Sequence, residues 1–422
     1  MKVPKIQNKQ TKFAPLLSKG DKSILLVTIV LSLFGLLMIY SASSTIAYIQ
    51  HQDSFYYFKR QILWLIIGFV FALILYKINL QKLNKVLSYS IVFIGISLMI
   101  FMLPEALSPF LLDGTKVIEM PLVVTLNGAT RWYDLGFISV QPVEILKLGL
   151  ILFGAFWLSR EEKEKIKLSN FINQFKYNEN LYIILKLVLE SQFTIFTLIS
   201  CILALTQRDL DTTIILFLIY IIISFINSKD KRSKLLNVVI ILFAIFAFLI
   251  LILAEPYRRN RFLGFIEILF RGEPSREFRE GFSFQSWNGL IAIGTGGIFG
   301  VGYGESRQKL FFLQEASFTD SIFAVVGEEF GLLGTMLIIL LFTYLLSKTI
   351  EIAKNTKDKF YVNLALGSIF FISFQAFFNI ASNLAIIPFA GMSLPFFSYG
   401  GSGTIVILCA VGLILNVSKQ AM

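Results

Sequence analysis

Asp320 is the residue in this sequence that is best placed for chemistry. It stands near the end of the stretch 255–334, where arginines, carboxylates and clustered glycines meet in an otherwise apolar chain. A long apolar run begins directly after it. Charge near hydrocarbon is costly to bury, so a carboxylate at the mouth of a membrane span is a functional candidate. The chemistry that a carboxylate brings to such a place is proton transfer.

Small residues follow Asp320 at helical spacing. At about 100° per residue, Ala324, Gly327, Gly331 and Gly334 fall on the same face as Asp320 if the helix is continuous. This stripe is interpreted either as a helix-packing seam or as a groove that admits a lipid tail below the carboxylate. The sequence leaves both interpretations open.

A basic cluster lies earlier in the same stretch, in the run Tyr257, Arg258, Arg259 and Arg261. Arginine binds phosphate in a forked, bidentate way, which favours an anionic headgroup or a diphosphate as partner. A general anchor to anionic lipid is the alternative. The following run GTGGIFGVGYG, from Gly294, lacks the ending of a P-loop, so it predicts a tight re-entrant or interfacial turn rather than nucleotide binding.

The segment 127–148 carries a second group of candidates. Its Pro142 predicts the first turn of a helix, and Glu144 and Lys147 then share one helical face. They form either a structural ion pair or a pair that positions substrate. Arg131 and Trp132 are interpreted as an interfacial anchor or as contacts to a sugar face and a phosphate.

Two further segments have less distinctive chemistry. In QRDLDT, the carboxylates Asp209 and Asp211 are interpreted as solvated turn residues, with a metal or substrate role left open. The segment 387–403 contains two prolines and predicts a structural re-entrant turn. Cys201 and Cys409 lie in apolar segments and are expected to be buried small side chains, and His51 is the only histidine.

The elements that must position these residues are apolar helices. The chain has 422 residues, 56% of them hydrophobic and 15% charged, and its mean hydropathy is +0.73. Runs of about 18 or more apolar residues indicate an all-α polytopic membrane protein rather than a barrel. We expect a bundle of about ten transmembrane helices. The predicted spans are near 23–40, 61–78, 86–103, 142–159, 189–206, 212–227, 235–254, 321–347, 361–383 and 400–417.

The net charge of +11 is distributed in a way that predicts topology. Lysine-rich connectors alternate with connectors poor in lysine, which predicts that both termini lie in the cytoplasm. Because membrane topology accounts for the positive charge, no nucleic-acid partner is expected. We expect a cytoplasmic tail at 1–22, one integral-membrane domain at 23–418 and a cytoplasmic tail at 419–422. Two long external loops are predicted at about 104–141 and 255–320.

With these motifs the chain resembles the SEDS family of bacterial integral-membrane glycosyltransferases, the FtsW/RodA type. The resemblance covers nearly the whole chain and rests on runs in a characteristic order: NGATRW, QPVEILK, QRDLDT, PYRRNR, AIGTGGIFGVGYGESRQK, FTDSIFAVVGEE and LPFFSYGGSG. PYRR and GESRQK are more similar to the division branch than to the elongation branch. The sequence departs from the family at Val143, usually serine, at Gln314, usually proline, and at Arg208 and Asp211, where the family has a PDLGT-like turn.

The resemblance implies a peptidoglycan glycosyltransferase that polymerises lipid II into glycan strands during division or cell-wall growth. Asp320 would be the general base and undecaprenyl diphosphate the leaving group. Arg131, Trp132, Glu144 and Lys147 would contact or position substrate. Further substrate-binding candidates are the basic cluster of Tyr257, Arg258, Arg259 and Arg261 and, in GESRQK, Gln308 and Lys309.

The same resemblance implies a setting for this reaction. The protein would lie in the bacterial inner (plasma) membrane, with its active site on the external face. A class B penicillin-binding protein transpeptidase would be its partner, together with other division or elongation proteins. A divalent cation, Mg²⁺ or Mn²⁺, is a candidate cofactor, and no nucleotide or organic cofactor is expected. The alternatives are a flippase or transporter of the same lipid-linked precursor and a non-catalytic division scaffold.

Overall fold

The computed structural model describes residues 21–111, 118–126, 129–136, 138–159, 192–228 and 231–420. Most of the two expected tails, and the start of the span expected at 189–206, lie outside these residues. The division into one domain with two tails therefore stays a prediction.

The described residues form a bundle of helices with one small sheet. The helices are α1 (Lys22–His51), α2 (Tyr56–Lys77), α3 (Leu80–Phe101), α4 (Leu103–Leu111), α5 (Pro142–Leu158), α6 (Gln192–Thr206), α7 (Leu210–Asn227), α8 (Lys231–Ala254), α9 (Pro256–Arg271), α10 (Arg276–Glu280), α11 (Phe284–Gly296), α12 (Ile322–Asn355), α13 (Lys359–Asn383) and α14 (Gly401–Ser418). The strands are β1 (Val123–Leu126), β2 (Ala129–Asp134) and β3 (Ser139–Val140). They pair antiparallel in the order β1-β2-β3.

Eight helical stretches of the described chain are long and apolar enough to cross a membrane. They coincide with eight of the expected spans and confirm a polytopic helical membrane protein. The other two expected spans fall on α5 and α6, which have 17 and 15 described residues. A helix of 17 residues is about 26 Å long, close to the hydrocarbon thickness. The count of ten spans stays a prediction.

Helix α5 lies at the centre of the bundle. Pro142 stands at its first position, as the sequence predicts, and almost all of its side chains are buried. It packs against α3, α6, α7 and α13. The outer helix α8, in contrast, buries only 6% of its apolar stretch, so its side chains face the lipid.

The two ends of the bundle have different chemistry. Near one end, the Asp21 backbone N–H donates to Ser418 Oγ at 3.0 Å, and Gln81 Nε2 donates to Asp358 Oδ2 at 3.0 Å. The described ends of the chain and two lysine-bearing connectors therefore share this end. The starts of α5, α7, α12 and α14 lie at the other end, which we call the site end.

The expected external loops are more structured than the sequence suggests. The first contains α4 and the sheet, and the second contains α9, α10 and α11. Helix α11 packs closely against α12, because glycines on both helices remove side-chain bulk. A Cβ on Gly296 would lie 1.9 Å from the Gly327 carbonyl oxygen.

Helix α12 corrects the expectation of a smooth small-residue stripe. Gly331 has φ 64° and ψ −158°, so the helix is broken there and the stripe does not continue straight down one face. The break exists because the backbone of 298–300 reaches α12: the N–H groups of Leu332 and Leu333 donate to the carbonyls of Gly297 and Ile298 at 2.9 and 3.2 Å. At Ala324, Gly327 and Gly331 the stripe is a packing seam covered by α11 and the glycine turn, so the lipid-groove interpretation is wrong for this part of the face.

Candidate active site

Asp320 is held by its backbone at the start of α12. Its carbonyl oxygen accepts hydrogen bonds from Asn379 Nδ2 at 2.8 Å and from Asn383 Nδ2 at 3.0 Å, both on the last turns of α13. The preceding Thr319 carbonyl accepts from Ser398 Oγ at 2.6 Å. These contacts fix the main chain of Asp320, which is a half-buried residue.

A second carboxylate, that of Asp211, lies beside Asp320. The Gly391 N–H donates to Asp211 Oδ2 at 2.9 Å. A Cβ built on Gly391 would lie 3.4 Å from Asp320 Oδ2 and 3.6 Å from Asp211 Oδ2. The expected re-entrant turn at 387–403 therefore brings its backbone against both acids, and glycine at 391 keeps the space between them open.

The neighbouring Asp209 is buried, with 3% of its surface exposed. Its side chain caps α7 by accepting from the Thr212 N–H at 3.2 Å, and it accepts from Gln141 Nε2 at 3.2 Å. The interpretation as a solvated turn residue is wrong for Asp209, which is buried. Asp211 is half-buried, and its carboxylate accepts from the Gly391 N–H. The signal was available: both acids precede an apolar span, as Asp320 does.

Two arginines bring positive charge to this acidic group. Arg131 Nε lies 3.9 Å from Asp209 Oδ2, and its guanidinium also donates to the Arg208 carbonyl. The Arg261 guanidinium lies over the Phe389 ring at 5.0 Å and over the Tyr257 ring at 5.4 Å. Arg131 and Arg261, expected from the sequence to bind phosphate, are thus brought to the same place as Asp320.

Burial and charge shift the proton affinity of Asp320. Burial raises its pKa most, and the negative charge of Asp211 raises it further, while Arg261 and Arg131 oppose both effects; the resulting pKa is about 6. A carboxylate with this pKa is ionised at neutral pH and yet holds a proton more strongly than an ordinary aspartate. This is the state that a general base needs.

An open cavity of about 370 Å³ adjoins Arg261. Its lining comprises Tyr257, Arg261, Gly281, Phe282, Phe284 and Gln285. Aromatic rings beside a guanidinium suit a sugar phosphate, since rings cover sugar faces and the guanidinium binds phosphate oxygens. Arg258 is less free, because its Nε is 3.0 Å from Glu255 Oε2, whereas Arg259 is exposed.

The Glu144–Lys147 pair lies inside the bundle. Lys147 Nζ is 2.6 Å from Glu144 Oε1, and the two residues are 2% and 6% exposed. Lys147 Nζ also lies 5.7 Å from the centre of the Phe371 ring on α13. The expected shared face is confirmed, and the contacts support the structural interpretation of this pair. Trp132 is half-buried in β2, with the Arg131 guanidinium 6.0 Å from its ring.

Gln308 and Lys309 are buried against α12. Lys309 Nζ contacts Glu329 Oε1 at 2.6 Å and Ser41 Oγ at 2.9 Å. The Gln308 N–H donates to Glu328 Oε2 at 3.3 Å. These contacts hold the GESRQK turn in place, and substrate contact by Gln308 and Lys309 stays a prediction.

Comparisons with known proteins agree with this fold. Residues 21–422 match the FtsW/RodA/SpoVE family of cell cycle proteins. The stage V sporulation protein E of Bacillus subtilis is 32% identical over 408 residues, which cover 95% of this chain and 97% of that protein. A probable peptidoglycan glycosyltransferase FtsW of Geobacter sp. strain M18 is also 32% identical, over 405 residues and the same shares of the two chains.

Solved structures share the architecture. A chain of a peptidoglycan synthase complex that coordinates polymerization and crosslinking superposes with a TM-score of 0.66 at 21% identity, covering 95% of this chain and 98% of that one. The rod shape determining protein RodA of Thermus thermophilus gives 0.61 at 21% identity, with 96% and 98% covered.

Fold and site together define a polytopic membrane protein with two neighbouring aspartates, Asp211 and Asp320, at one end of its helix bundle. The chain belongs to the FtsW/RodA/SpoVE family.

Proposed function

We propose that this protein is a peptidoglycan glycosyltransferase that polymerises lipid II into glycan strands, with Asp320 as the general base. The observation that carries the proposal is the Asp320 carboxylate, fixed by its backbone beside Arg261 and Arg131, with its pKa raised to about 6. The names of the relatives supply the substrate class.

The reaction places one proton transfer on Asp320. The carboxylate takes the proton from a hydroxyl group of the acceptor sugar as that oxygen attacks the anomeric carbon of the donor. The new glycosidic bond forms while the bond from that carbon to the diphosphate oxygen breaks. Undecaprenyl diphosphate leaves with the bonding electron pair, and Asp320 later releases its proton to water. General-base catalysis of this kind contributes about 10²–10⁴-fold.

The leaving diphosphate needs positive charge. Arg261 lines the open cavity and lies near Asp320. Arg131 is on β2, and Arg259 is exposed on the first turn of α9. Guanidinium groups placed where charge develops stabilise a transition state without reorganising. We assign the diphosphate to Arg261 first, with Arg131 and Arg259 as further contacts.

A divalent cation is the least supported part of the expectation. Within the described residues, no group of three or more His, Cys, Asp or Glu side chains is arranged to hold a metal ion. The divalent cation stays a prediction, and no step of the mechanism described depends on it.

The proposed setting follows from charge and from the relatives. The described chain ends and lysine-bearing connectors lie at the end opposite the site, and lysine favours the cytoplasmic side. The termini would therefore be cytoplasmic and the site external, in a bacterial plasma membrane. A class B penicillin-binding protein would cross-link the product, in a division or elongation complex.

Purified protein in vesicles with fluorescent lipid II tests the proposal, alone and with the transpeptidase. Long glycan strands are the expected product. Movement of lipid II between leaflets without strands would favour the flippase, and the absence of both activities, even with the partner, would favour the scaffold.

A further inference from the structure

Asp211 and Asp320 are brought together from distant parts of the chain. Their Oδ2 atoms lie 3.6 and 3.4 Å from the point where a Gly391 Cβ would be. The two oxygens are therefore no more than 7.0 Å apart, the sum of these distances. At such a separation inside a protein, one charge acts strongly on the other.

The position of Asp211 is fixed from two sides. It stands in the first turn of α7, which Asp209 caps. The Gly391 N–H donates to it at 2.9 Å, and the following Met392 carbonyl accepts from Asn379 Nδ2 at 2.6 Å. Asn379 also binds the Asp320 carbonyl. One asparagine thus ties the segment that Asp211 binds to the segment that carries Asp320.

The charged residues around Asp320 have opposite effects on its pKa. Arg261 on α9 and Arg131 on β2 suit a diphosphate, but they lower the pKa of Asp320 and so weaken it as a base. Asp211 raises that pKa, while Asp209 is paired with Arg131. A second carboxylate offsets the effect of the arginines on the base while leaving them in place for the leaving group.

We propose that Asp211 is a positioning residue that acts through Asp320: it holds the Gly391 backbone beside the candidate base and places a second carboxylate next to it. The inference rests on the proposed function. It concerns this chain in particular, since the resembled family usually has glycine at this position.

Asp211→Asn separates the charge from the hydrogen bond, because an asparagine oxygen still accepts from the Gly391 N–H. A diazoacetamide, which esterifies protonated carboxyl groups, reports the ionisation of Asp320 when labelling is followed by mass spectrometry across pH. We expect the labelling midpoint of Asp320 to fall by about one pH unit in Asp211→Asn. Glu277→Gln, which removes an exposed carboxylate on α10, is the matched control and leaves the midpoint unchanged.

Asp211→Gly, the residue usual in the family, is the second neutral variant if the asparagine variant does not fold. The same preparations are assayed for polymerisation. Relative to the wild type, we expect the acid limb of the kcat–pH profile of the Asp211 variants to move to lower pH and the plateau value of kcat to fall, with KM little changed. A midpoint equal to that of the wild type in either folded neutral variant would overturn the inference. If the midpoint shifts in the variants but the wild-type protein makes no polymer, the proposed function is rejected and the electrostatic coupling between Asp211 and Asp320 still stands.

Discussion

In the proposed reaction, Asp320 accepts a proton at neutral pH, so it has to be ionised beforehand. Burial and the neighbouring Asp211 raise its pKa, and the nearby arginines limit the rise, which leaves the value at about 6. A base is most effective when its pKa is just below the working pH, because it is then ionised and still binds a proton well. In the proposed mechanism, the three charged neighbours Asp211, Arg261 and Arg131 therefore contribute to the function of Asp320.

Polymerisation should depend on the ionisation of Asp320. Only the carboxylate form accepts a proton, so kcat/KM should rise with pH through about 6 and level off above it. An aspartate with an ordinary pKa would already be ionised at pH 5. Initial rates of strand formation between pH 5 and pH 8 test this, and a flat profile would show that Asp320 does not titrate in this range.

Arg261→Gln should weaken leaving-group stabilisation. A lost hydrogen bond to a charged group costs about 1.5–3 kcal/mol, so kcat/KM should fall about 10–100-fold. The acid limb should also move to higher pH, because Arg261 lowers the pKa of Asp320. Arg276→Gln, whose side chain is 89% exposed, is the control. Equal values of kcat/KM in Arg261→Gln and Arg276→Gln would show that Arg261 does not stabilise the leaving group.

Some of the individual residues of the candidate site could be predicted from the sequence. Asp320, Arg131 and Arg261 were expected, since charge beside apolar spans indicates function. The same reasoning applied to Asp209 and Asp211 would have found them. The role of Gly391 was beyond sequence reasoning, because only the folded chain brings it to two carboxylates that are distant in sequence.

The candidate site lies at the start of helix α12, and the helix is broken further along, at Gly331. Gly331 adopts a left-handed φ, and the turn around Gly300 packs against it with its backbone. The glycine run forms the expected tight turn, and its backbone approaches α12 closely. A helical wheel assumes one continuous helix, so it could not predict the break, which a distant segment causes.

Gly331→Ala should destabilise the protein. Its Cβ would meet Gly300 N and Ile298 O at 2.5 Å, and alanine disfavours φ 64°. We expect a loss of about 2–4 kcal/mol. Gly294→Ala is the control, since that glycine is helical, exposed and has open space at its Cβ; it should be neutral or slightly stabilising. Thermal unfolding in detergent compares the two, and equal midpoints would contradict the account of the break.

In the whole molecule, the candidate site and the lysine-bearing connectors lie at opposite ends of the helix bundle. The neighbouring carboxylates Asp211 and Asp320 lie at the site end, whereas the described termini and lysine-bearing connectors lie at the other end. The class of fold was predictable, because long apolar runs report membrane helices directly. The sheet and the helices within the expected loops were not, since short elements of mixed polarity carry weak local signals.

Orientation in the membrane is a separate prediction. In a background with Cys201→Ser and Cys409→Ala, a cysteine at exposed Glu277 should react with a membrane-impermeant maleimide on intact cells. A cysteine at exposed Lys357, in the connector between α12 and α13, should react only after permeabilisation. The reverse pattern would place the site in the cytoplasm and contradict the proposed reaction side.

The most direct test of the central claim is the rate of lipid II polymerisation by Asp320→Asn relative to the wild type, with the transpeptidase partner present. Asparagine keeps the size of the side chain, and the backbone contacts to Asn379 and Asn383 do not depend on the carboxylate. We predict a loss of about 10²–10⁴-fold with an unchanged unfolding midpoint. A folded variant that makes strands at the wild-type rate would show that Asp320 is not the base.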